Sequence, residues 1–303
     1  RQAPLSMGEL IGDDIQCSYH GYVFNRNGVC NHIPHQKVIP SRAHIQSFIV
    51  TEKWGFVWIW WGQNERADET SIPDLPWTEE EGRKPVYLRF YVNANFQLVA
   101  DNLLDISHAD YLHSSSFGSK SGKKGGPSPG NLTFRTETKG EKVTSYRLLE
   151  NVDIGDLARK WGGFKKKVDR LNIQMWEPPN TVHVRLEFTN DENHILINHD
   201  HIMTPETDKT THYFMDWTRS FGLDGSYPTD DDVYNEQHSI ISGEDISMIE
   251  AQQKNIDDLG ITSDVPAKAD RLVNDVHSLL TRLYEKAGCS LPRELARNKI
   301  TKE

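Results

Sequence analysis

Four side chains near the start of the chain are of the types that bind soft metal ions. Cys17, His20, Cys30 and His32 all fall within the stretch CSYHGYVFNRNGVCNHIP. Thiolate and imidazole are the usual ligands of structural zinc, and a Cys-x2-His pair followed by Cys-x-His is compatible with a zinc knuckle. The spacing alone leaves open whether these residues form one complete site or part of a larger one.

A second set of polar residues lies in the apolar segment LVADNLLDISHADYLH, residues 98–113. Asn102, Asp105 and His108 are spaced by three, so on a helix they form one polar ridge among leucines. His113 follows His108 by five, about 140° further round a regular helix, so both approach one ion only if the helix breaks between them. A core in which His and Asp side chains satisfy each other is the simpler alternative.

A third candidate lies on a helix predicted over 243–259. Its predicted buried stripe is defined by Ile249, Ile256 and Leu259, and Asp245 lies within about 40° of that stripe. Glu244 and Glu250 are predicted to point away. Two inward histidines and one inward aspartate are the ligand set of the 2-His-1-carboxylate triad of non-haem Fe(II). A salt-bridged core is the alternative, although Arg and Lys are scarce on both segments.

Composition limits the classes of function. The net charge of -10 argues against a nucleic-acid partner, because phosphate binding needs clustered cations. The longest apolar run, Trp54–Gly62, is far shorter than the roughly 20 residues that span a bilayer, so no membrane segment is expected. The 3 cysteines are typical of a reduced, cytoplasmic protein.

The hydrophobic pattern predicts an α+β protein of two domains. Short β segments predict a small all-β domain over 1–62, and a polar, proline-containing connector begins the second domain, 63–303. That domain has alternating runs such as TVHVRLEF, which predict antiparallel strands with one covered face. Long helices accompany the strands, the last of them over 266–287.

The motif CSYHGYVFNRNGVCNHIP resembles the second half of the Rieske [2Fe-2S] motif, Cys-x2-His-Gly followed by a glycine turn and Ile-Pro. The resemblance implies that Cys17 and His20 are cluster ligands, whereas Cys30 and His32 are not. The family's other pair, Cys-x-His, is commonly followed by Arg-x-Ala-Pro-Leu, and this chain begins RQAPL. The expectation is therefore half of one site, with the partner pair upstream of Arg1.

The second domain resembles the same family, the Rieske non-haem iron aromatic-ring oxygenases. Their Asn-x2-Asp-x2-His-x4-His motif matches Asn102, Asp105, His108 and His113 at every spacing, and their late Asp matches Asp245. The phrase DNLLDISHADYLH is most similar to the vanillate O-demethylase branch of monooxygenases. The resemblance implies an oxygenase (alpha) subunit whose antiparallel sheet wraps around long helices, a helix-grip fold.

The resemblance also implies a mechanism and partners. An NAD(P)H-dependent reductase, directly or through a ferredoxin, supplies electrons to the [2Fe-2S] cluster and then to a mononuclear Fe(II) held by His108, His113 and Asp245. A head-to-tail homotrimer brings one subunit's cluster beside its neighbour's iron, and Asp105 bridges a cluster histidine to His108. With O2, the iron hydroxylates an aromatic substrate, and the expected reaction is O-demethylation of an aryl methyl ether.

Several alternatives remain open on the sequence. The enzyme could be a ring-hydroxylating or dihydroxylating oxygenase. The chain could instead be a non-catalytic aromatic-ligand-binding homologue, or a protein structured by zinc at the four N-terminal candidates. The strand HILINHDHIM is expected to present Asn198 and Asp200 on one face and His199 and His201 on the other, and either set could contact a substrate.

Overall fold

The computed structural model describes residues 3–113, 116, 131–260 and 267–292. The chain divides into two compact units, 1–72 and 73–303, compared with the boundary expected at Gly62. The composition of residues 114–130 predicts a flexible loop, either a lid or a plain surface loop, and this stretch lies outside the described residues except for Ser116. None of the helices in the described ranges combines the length and apolarity needed to cross a bilayer.

The first unit is built from short antiparallel strands, as the turn-rich sequence predicts. Four strands form one sheet in chain order: β1 (Glu9–Ile11), β2 (Asp14–Gln16), β3 (Val23–Phe24) and β4 (Cys30–His32). The turn Asn25–Gly28 between β3 and β4 needs a glycine, because Gly28 has φ +78° and a Cβ there would lie 2.1 Å from the backbone oxygen of Ile45.

The aromatic run that reads as one β segment folds back on itself. It forms a hairpin of β5 (Ile49–Lys53) and β6 (Phe56–Trp60). The two residues between them, Trp54 and Gly55, both have positive φ. This backbone suits the twist of a two-residue hairpin turn.

The second unit contains a seven-stranded antiparallel sheet, in the order β7-β13-β12-β11-β10-β9-β8. Its strands are β7 (Lys84–Val92), β8 (Asn131–Lys139), β9 (Lys142–Val152), β10 (Val168–Glu177), β11 (Thr181–Thr189), β12 (His194–Thr207) and β13 (Thr210–Arg219). Every strand is antiparallel to its neighbours, and consecutive strands from β8 to β13 are paired. The predicted α+β class, with a small β unit followed by this larger unit, is confirmed.

The period-2 pattern decides which sheet face is covered. On β11, Val182, Val184, Leu186 and Phe188 face one side and join the main hydrophobic core. We call this side of the sheet the inner face. Three helices pack against the sheet: α1 (Phe96–Leu104) against β11 and β12, α4 (Asp230–Ile240) against β7, and α6 (Arg271–Lys286) against β8 and β9. The unit also contains α2 (Ala109–Leu112), α3 (Asp156–Gly162) and α5 (Ser247–Leu259), and α5 packs against α1.

Helix α6 differs slightly from its sequence prediction. The helix begins at Arg271 after a short 3-10 turn, Lys268–Asp270, rather than at Pro266, which lies outside the described residues. Its predicted apolar stripe is buried, with Leu272 and Val276 fully enclosed. His277 on the same helix contacts Asp101 of α1 at 2.7 Å, which ties the C-terminal helix to the segment that carries the candidate ligands.

Candidate metal centre

The segment predicted as one helix over 98–113 is broken at Asp105. Helix α1 ends at Leu104, and Asp105 leaves the helical region with φ -98° and ψ 85°. Its carboxylate then accepts a hydrogen bond from the backbone N–H of Ser107 at 2.9 Å and caps the 3-10 turn Ile106–His108. An aspartate favours this break because its side chain competes for backbone donors. The break therefore precedes His108, whereas the sequence predicted it between His108 and His113.

The two histidines nevertheless meet. His113 lies at the C-cap of α2 with φ -98° and ψ 23°, so the regular five-residue offset does not apply. The rings of His108 and His113 have centroids 5.1 Å apart and are nearly perpendicular.

The carboxylate that faces them comes from a π-helical turn. This turn, Ile241–Ile246, joins α4 to α5 within one continuous helix. The wider turn shifts the angular position of each side chain, and such turns are frequent at functional sites. Asp245 is directed inward as predicted and is buried, but the prediction that Glu244 points away is wrong. The 100° step assumed for a regular α-helix does not hold in this turn.

The three candidate ligands converge on one point. Asp245 Oδ1 lies 3.1 Å from His113 Nε2 and 3.5 Å from His108 Nε2. The ligand atoms of these residues all lie within 4.8 Å of one another, and they are the one such His, Cys, Asp or Glu group within the described residues. The site is largely enclosed, since the side chains of His113 and Asp245 are 11% and 7% exposed.

Both imidazoles are oriented through their second nitrogen. His108 Nδ1–H donates to the backbone carbonyl of Asp105 at 2.6 Å, and His113 Nδ1–H donates to Glu244 Oε2 at 2.6 Å. Each neutral ring therefore has its lone pair on Nε2, directed at the common point. Hydrogen bonds of this kind fix the tautomer and ring orientation of metal-binding histidines.

The pKa values of the two histidines move in opposite directions. Burial lowers the pKa of His108, only partly offset by Asp245. Burial also disfavours charge on His113, but its hydrogen bonds to Asp245 and Glu244 outweigh that cost and raise its pKa. A cation between His113 Nε2 and Asp245 would replace the proton that this raised pKa favours, so metal binding and protonation compete here.

The other two motif residues lie beside this point. Asn102 Nδ2 donates to Asp245 Oδ1 at 3.3 Å and so helps to position that carboxylate. Asp105 contacts His108 through its backbone carbonyl rather than through its carboxylate. The expected bridge from Asp105 to a cluster histidine of another subunit stays a prediction.

The donor set fits a mononuclear Fe(II). Two imidazole nitrogens and one carboxylate oxygen form the facial triad that leaves other coordination positions open. The two imidazole nitrogens are oriented by their Nδ1 hydrogen bonds, and the Asp245 carboxylate lies beside both of them. That His108, His113 and Asp245 are iron ligands is taken up below as a proposal.

Cys17 and His20 lie on the turn between β2 and β3. The backbone N–H of Cys17 donates to Tyr22 O at 2.8 Å, and Gly21 N–H donates to Cys17 O at 2.9 Å, which closes a tight loop. The thiol of Cys17 is buried, whereas His20 is exposed at the loop tip beside Tyr19. Such a loop can present a thiolate and an imidazole to one cluster.

The zinc-knuckle interpretation gains no support. The side chain of Cys30 donates to the backbone oxygen of His32 at 3.3 Å, and the His32 side chain is exposed. Within the described part of the chain, Cys17, His20, Cys30 and His32 do not form a group that could share an ion.

The strand His194–Thr207 presents its polar residues on opposite faces, as its sequence predicts. On the inner face, His199 Nδ1 and His201 Nε2 are 2.8 Å apart, and His201 Nδ1 lies 2.5 Å from the Tyr213 hydroxyl. Burial lowers the pKa of His199 to about 4, and burial lowers that of His201 as well. Both rings are therefore neutral near pH 7.

The outer face carries a buried ionic cluster that the sequence did not reveal. His183 Nδ1 lies 2.7 Å from Asp200 Oδ1 and its Nε2 lies 3.2 Å from Glu177 Oε2. Trp77 Nε1 donates to the other Asp200 oxygen at 2.6 Å. Burial disfavours charge on His183, but these acidic partners prevail and raise its pKa to about 9. The only signal in the sequence was a histidine inside the alternating run TVHVRLEF.

Comparison with known proteins agrees with both units. A family model for the Rieske [2Fe-2S] domain matches residues 1–47, and one for the vanillate O-demethylase oxygenase C-terminal domain matches residues 92–286. The toluene-4-sulfonate monooxygenase system iron-sulfur subunit of Comamonas testosteroni is 34% identical, over 94% of this chain and 83% of its own length.

Oxygenase components that remove methyl groups are also similar. The oxygenase component of dicamba O-demethylase from Stenotrophomonas maltophilia is 31% identical, over 74% of this chain and 66% of the relative. A vanillate O-demethylase oxygenase subunit of a Pseudomonas species is 28% identical, over 84% of this chain and 79% of the relative. The crystal structure of dicamba monooxygenase bound to dicamba superposes with a TM-score of 0.81 and 26% identity, covering 94% of this chain and 84% of that one.

These matches agree with the motif, the fold and the metal-binding geometry. The relatives are oxygenase components of multicomponent systems, and the cofactors of the family are a Rieske [2Fe-2S] cluster and a mononuclear non-haem iron. The chain belongs to the Rieske non-haem iron oxygenases of the vanillate O-demethylase type, and it is an oxidoreductase of the aromatic monooxygenase class.

Proposed function

We propose that the protein inserts one oxygen atom into a C–H bond of an aromatic substrate, and that the reaction is O-demethylation of an aryl methyl ether. The observation that carries this proposal is the convergence of His108 Nε2 and His113 Nε2 on Asp245 Oδ1, with both Nδ1 atoms already engaged. This arrangement has the chemistry of a facial triad.

In this proposal His108, His113 and Asp245 hold one Fe(II), which supplies the chemistry that activates O2. Three protein ligands leave coordination positions for water and O2. Asn102 keeps Asp245 in place through its 3.3 Å hydrogen bond, and the Asp105 carbonyl keeps His108 in its reactive tautomer. The side chains of His113 and Asp245 are largely buried, which limits the access of bulk water to them.

Cys17 and His20 are proposed to supply two of the four cluster ligands. The buried thiol and the exposed imidazole on one tight loop support this assignment. In Rieske centres both histidines bind one iron, and this raises the reduction potential of the cluster.

Electron supply is also part of the proposal. An NAD(P)H-dependent reductase, directly or through a ferredoxin, reduces the cluster, and a homotrimer brings one subunit's cluster beside the next subunit's iron. The carboxylate of Asp105 is proposed to connect the two centres. Few cysteines and this electron supply agree with a cytoplasmic protein.

O-demethylation is the proposed reaction because two of the relatives, acting on dicamba and vanillate, are named O-demethylases. Hydroxylation of the methyl group of an aryl ether gives a hemiacetal, which releases formaldehyde and a phenol. A second candidate is oxygenation without demethylation, since the relatives at 33% and 34% identity are named for toluene-4-sulfonate.

The test is turnover of the reconstituted system. The holoenzyme, with a reductase, NADH and O2, is incubated with 4-methoxybenzoate or with toluene-4-sulfonate, and formaldehyde and hydroxylated products are measured. Formaldehyde with incorporation of one atom from labelled O2 is the expected result. Incorporation of both atoms into the ring of either substrate would overturn monooxygenation.

A matched pair of variants assigns the activity to the candidate centre. His108→Ala should lose mononuclear iron and turnover, whereas His194→Ala, a change of an exposed histidine of the same unit, should keep both. Equal activity of both variants would show that the triad is not the site.

A further inference from the structure

The inner face of the sheet carries two buried arginines. Arg147 on β9 and Arg170 on β10 are 8% and 2% exposed. They lie on the strand faces that also contribute Leu149 and Trp176 to the hydrophobic core. A charged side chain among apolar neighbours is costly unless it is paired or binds a ligand.

Their shared counter-ion is a single carboxylate. Asp110 Oδ2 lies 3.6 Å from Arg147 Nη2, and Asp110 Oδ1 lies 3.7 Å from Arg170 Nη1. Both distances are longer than those of a charge-assisted hydrogen bond. Arg170 also donates from Nε to Asn172 Oδ1 at 3.2 Å.

Arg147 retains unused donor capacity. Its side chain is nine-tenths buried, and its Nε has no hydrogen-bond partner within the described residues. A guanidinium has five N–H donors in a planar fork that matches an oxyanion. An enclosed fork whose Nε–H has no acceptor, and whose contact with Asp110 is long, has the chemistry of a binding group rather than of a finished structural contact.

Charge supports the same conclusion. Among the three side chains there are two guanidinium groups and one carboxylate. Burial lowers the pKa of Arg170 to about 10. Attraction to Asp110 offsets part of this shift, and repulsion from Arg147 adds to it. A second anion at this position would stabilise both arginines.

The position relative to the metal centre is favourable. Asp110 belongs to the four-residue helix between His108 and His113, so the arginines lie beneath the segment that carries two of the candidate ligands. Arg219, the third buried arginine of the described residues, is already paired with Asp230 at 2.6 Å.

We propose that Arg147 and Arg170 form an anion subsite that binds the sulfonate or carboxylate group of the aromatic substrate, with Asp110 as their internal counter-ion. The inference rests on the proposed function, because it assigns a substrate class to the same site. The neutral pair His199 and His201 can donate hydrogen bonds but supplies no charge. Toluene-4-sulfonate and vanillate, which name three of the relatives, are anions of this class.

The experiment measures ligand binding to the resting holoenzyme, without reductant. Dissociation constants are determined calorimetrically for toluene-4-sulfonate and its neutral isostere toluene-4-sulfonamide, and for 4-methoxybenzoate and 4-methoxybenzamide. The wild type should bind at least one anion about tenfold or more tightly than its neutral partner. Arg147→Gln should weaken that anion roughly tenfold to hundredfold and change the neutral partner less than threefold. If only the toluene-4-sulfonate pair shows this preference, the subsite binds a sulfonate; if only the 4-methoxybenzoate pair does, it binds a carboxylate.

Two further variants separate binding from folding. Arg185→Gln makes the same substitution on the outer face, where Arg185 pairs with Glu187, and should leave every constant unchanged. Asp110→Asn removes the competing internal carboxylate and should tighten anion binding. Iron content is measured for each variant.

The proposal is overturned by either of two results. The first is that Arg147→Gln binds the anions as the wild type does. The second is that Asp110→Asn and Arg147→Gln both lose iron and weaken the binding of charged and neutral ligands alike, which would make the cluster a structural anchor for the ligand helix. Neither result bears on turnover by the wild type. If the proposed oxygenase function is wrong, the wild type forms no oxygenated product but still prefers the anionic ligands.

Discussion

The carboxylate of Glu244 should control how tightly His113 binds a metal ion. Glu244 Oε2 accepts the hydrogen bond from His113 Nδ1–H at 2.6 Å, and the equivalent partner of His108 is a neutral backbone carbonyl. Glu244→Gln keeps an acceptor of the same shape but removes its charge. Glu244→Ala removes the acceptor and leaves the Nδ1–H without this partner.

The magnitude follows from the hydrogen bond. A hydrogen bond to a charged acceptor contributes about 1.5–3 kcal/mol and a neutral one about 0.5–1.5. Since the Glu244 side chain is 30% exposed, solvent screens part of the difference. We expect Glu244→Gln to weaken iron binding by roughly 1 kcal/mol, about fivefold. Glu244→Ala should cost about 10- to 100-fold, as the loss of an outer partner of a metal-binding histidine does.

The assay is anaerobic competition for Fe(II) between the protein and a chromogenic chelator. Glu250→Gln is the control, because Glu250 lies on the following helical segment and accepts hydrogen bonds from Asn93 instead. The affinity for Fe(II) is predicted to fall in the order wild type, Glu244→Gln, Glu244→Ala. Wild-type affinity in Glu244→Ala would refute the role of this contact in metal binding.

Three other perturbations have defined outcomes. Asp105→Asn keeps the backbone carbonyl that orients His108, so both metal centres should remain while turnover is lost; unchanged turnover in a steady-state assay would contradict this. The raised pKa of His183 adds roughly 3 kcal/mol of stability that is fully present below pH 6.5 and lost as the pH rises through about 9. Urea unfolding should show this slope in the wild type and in His194→Gln but not in His183→Gln. Gly28→Ala should destabilise the first unit by about 2 kcal/mol or more, seen as a lower thermal midpoint, because its Cβ would lie 2.1 Å from Ile45 O.

The sheet and the inward position of Asp245 were accessible from the sequence because both follow simple periodicities. His108 and His113 do not share a face of a regular helix, and the resemblance to the family's Asn-x2-Asp-x2-His-x4-His motif pointed to them. Alternation along residues 181–188 fixed the covered face of β11, and that face is buried. Inward placement of Asp245 followed from its helical spacing to Ile249 and Ile256, which are buried, whereas Leu259 of the same predicted stripe is exposed. The sequence did not indicate β8 of the seven-stranded sheet. This strand lies at an edge of the sheet and has a polar sequence.

What the sequence did not predict depends on tertiary structure. No local signal in ISGEDI specifies a π turn, so an α-helical template placed Glu244 on the wrong side. The break at Asp105 arises from a side-chain cap that competes with the helix, and helix periodicity does not report such caps. The Arg147 and Arg170 cluster brings two paired strands, β9 and β10, against a four-residue helix that is far from them in sequence, so only the folded chain reveals it.

The central claim is that one chain carries a Rieske cluster and a mononuclear iron. Its most direct test is the content of iron and acid-labile sulfide per subunit of the holoprotein. We predict about three irons and two sulfides for one 2Fe-2S cluster plus one mononuclear site. We also predict loss of one iron, with sulfide retained, in His113→Ala. Zinc in place of iron, or one iron without sulfide, would contradict it.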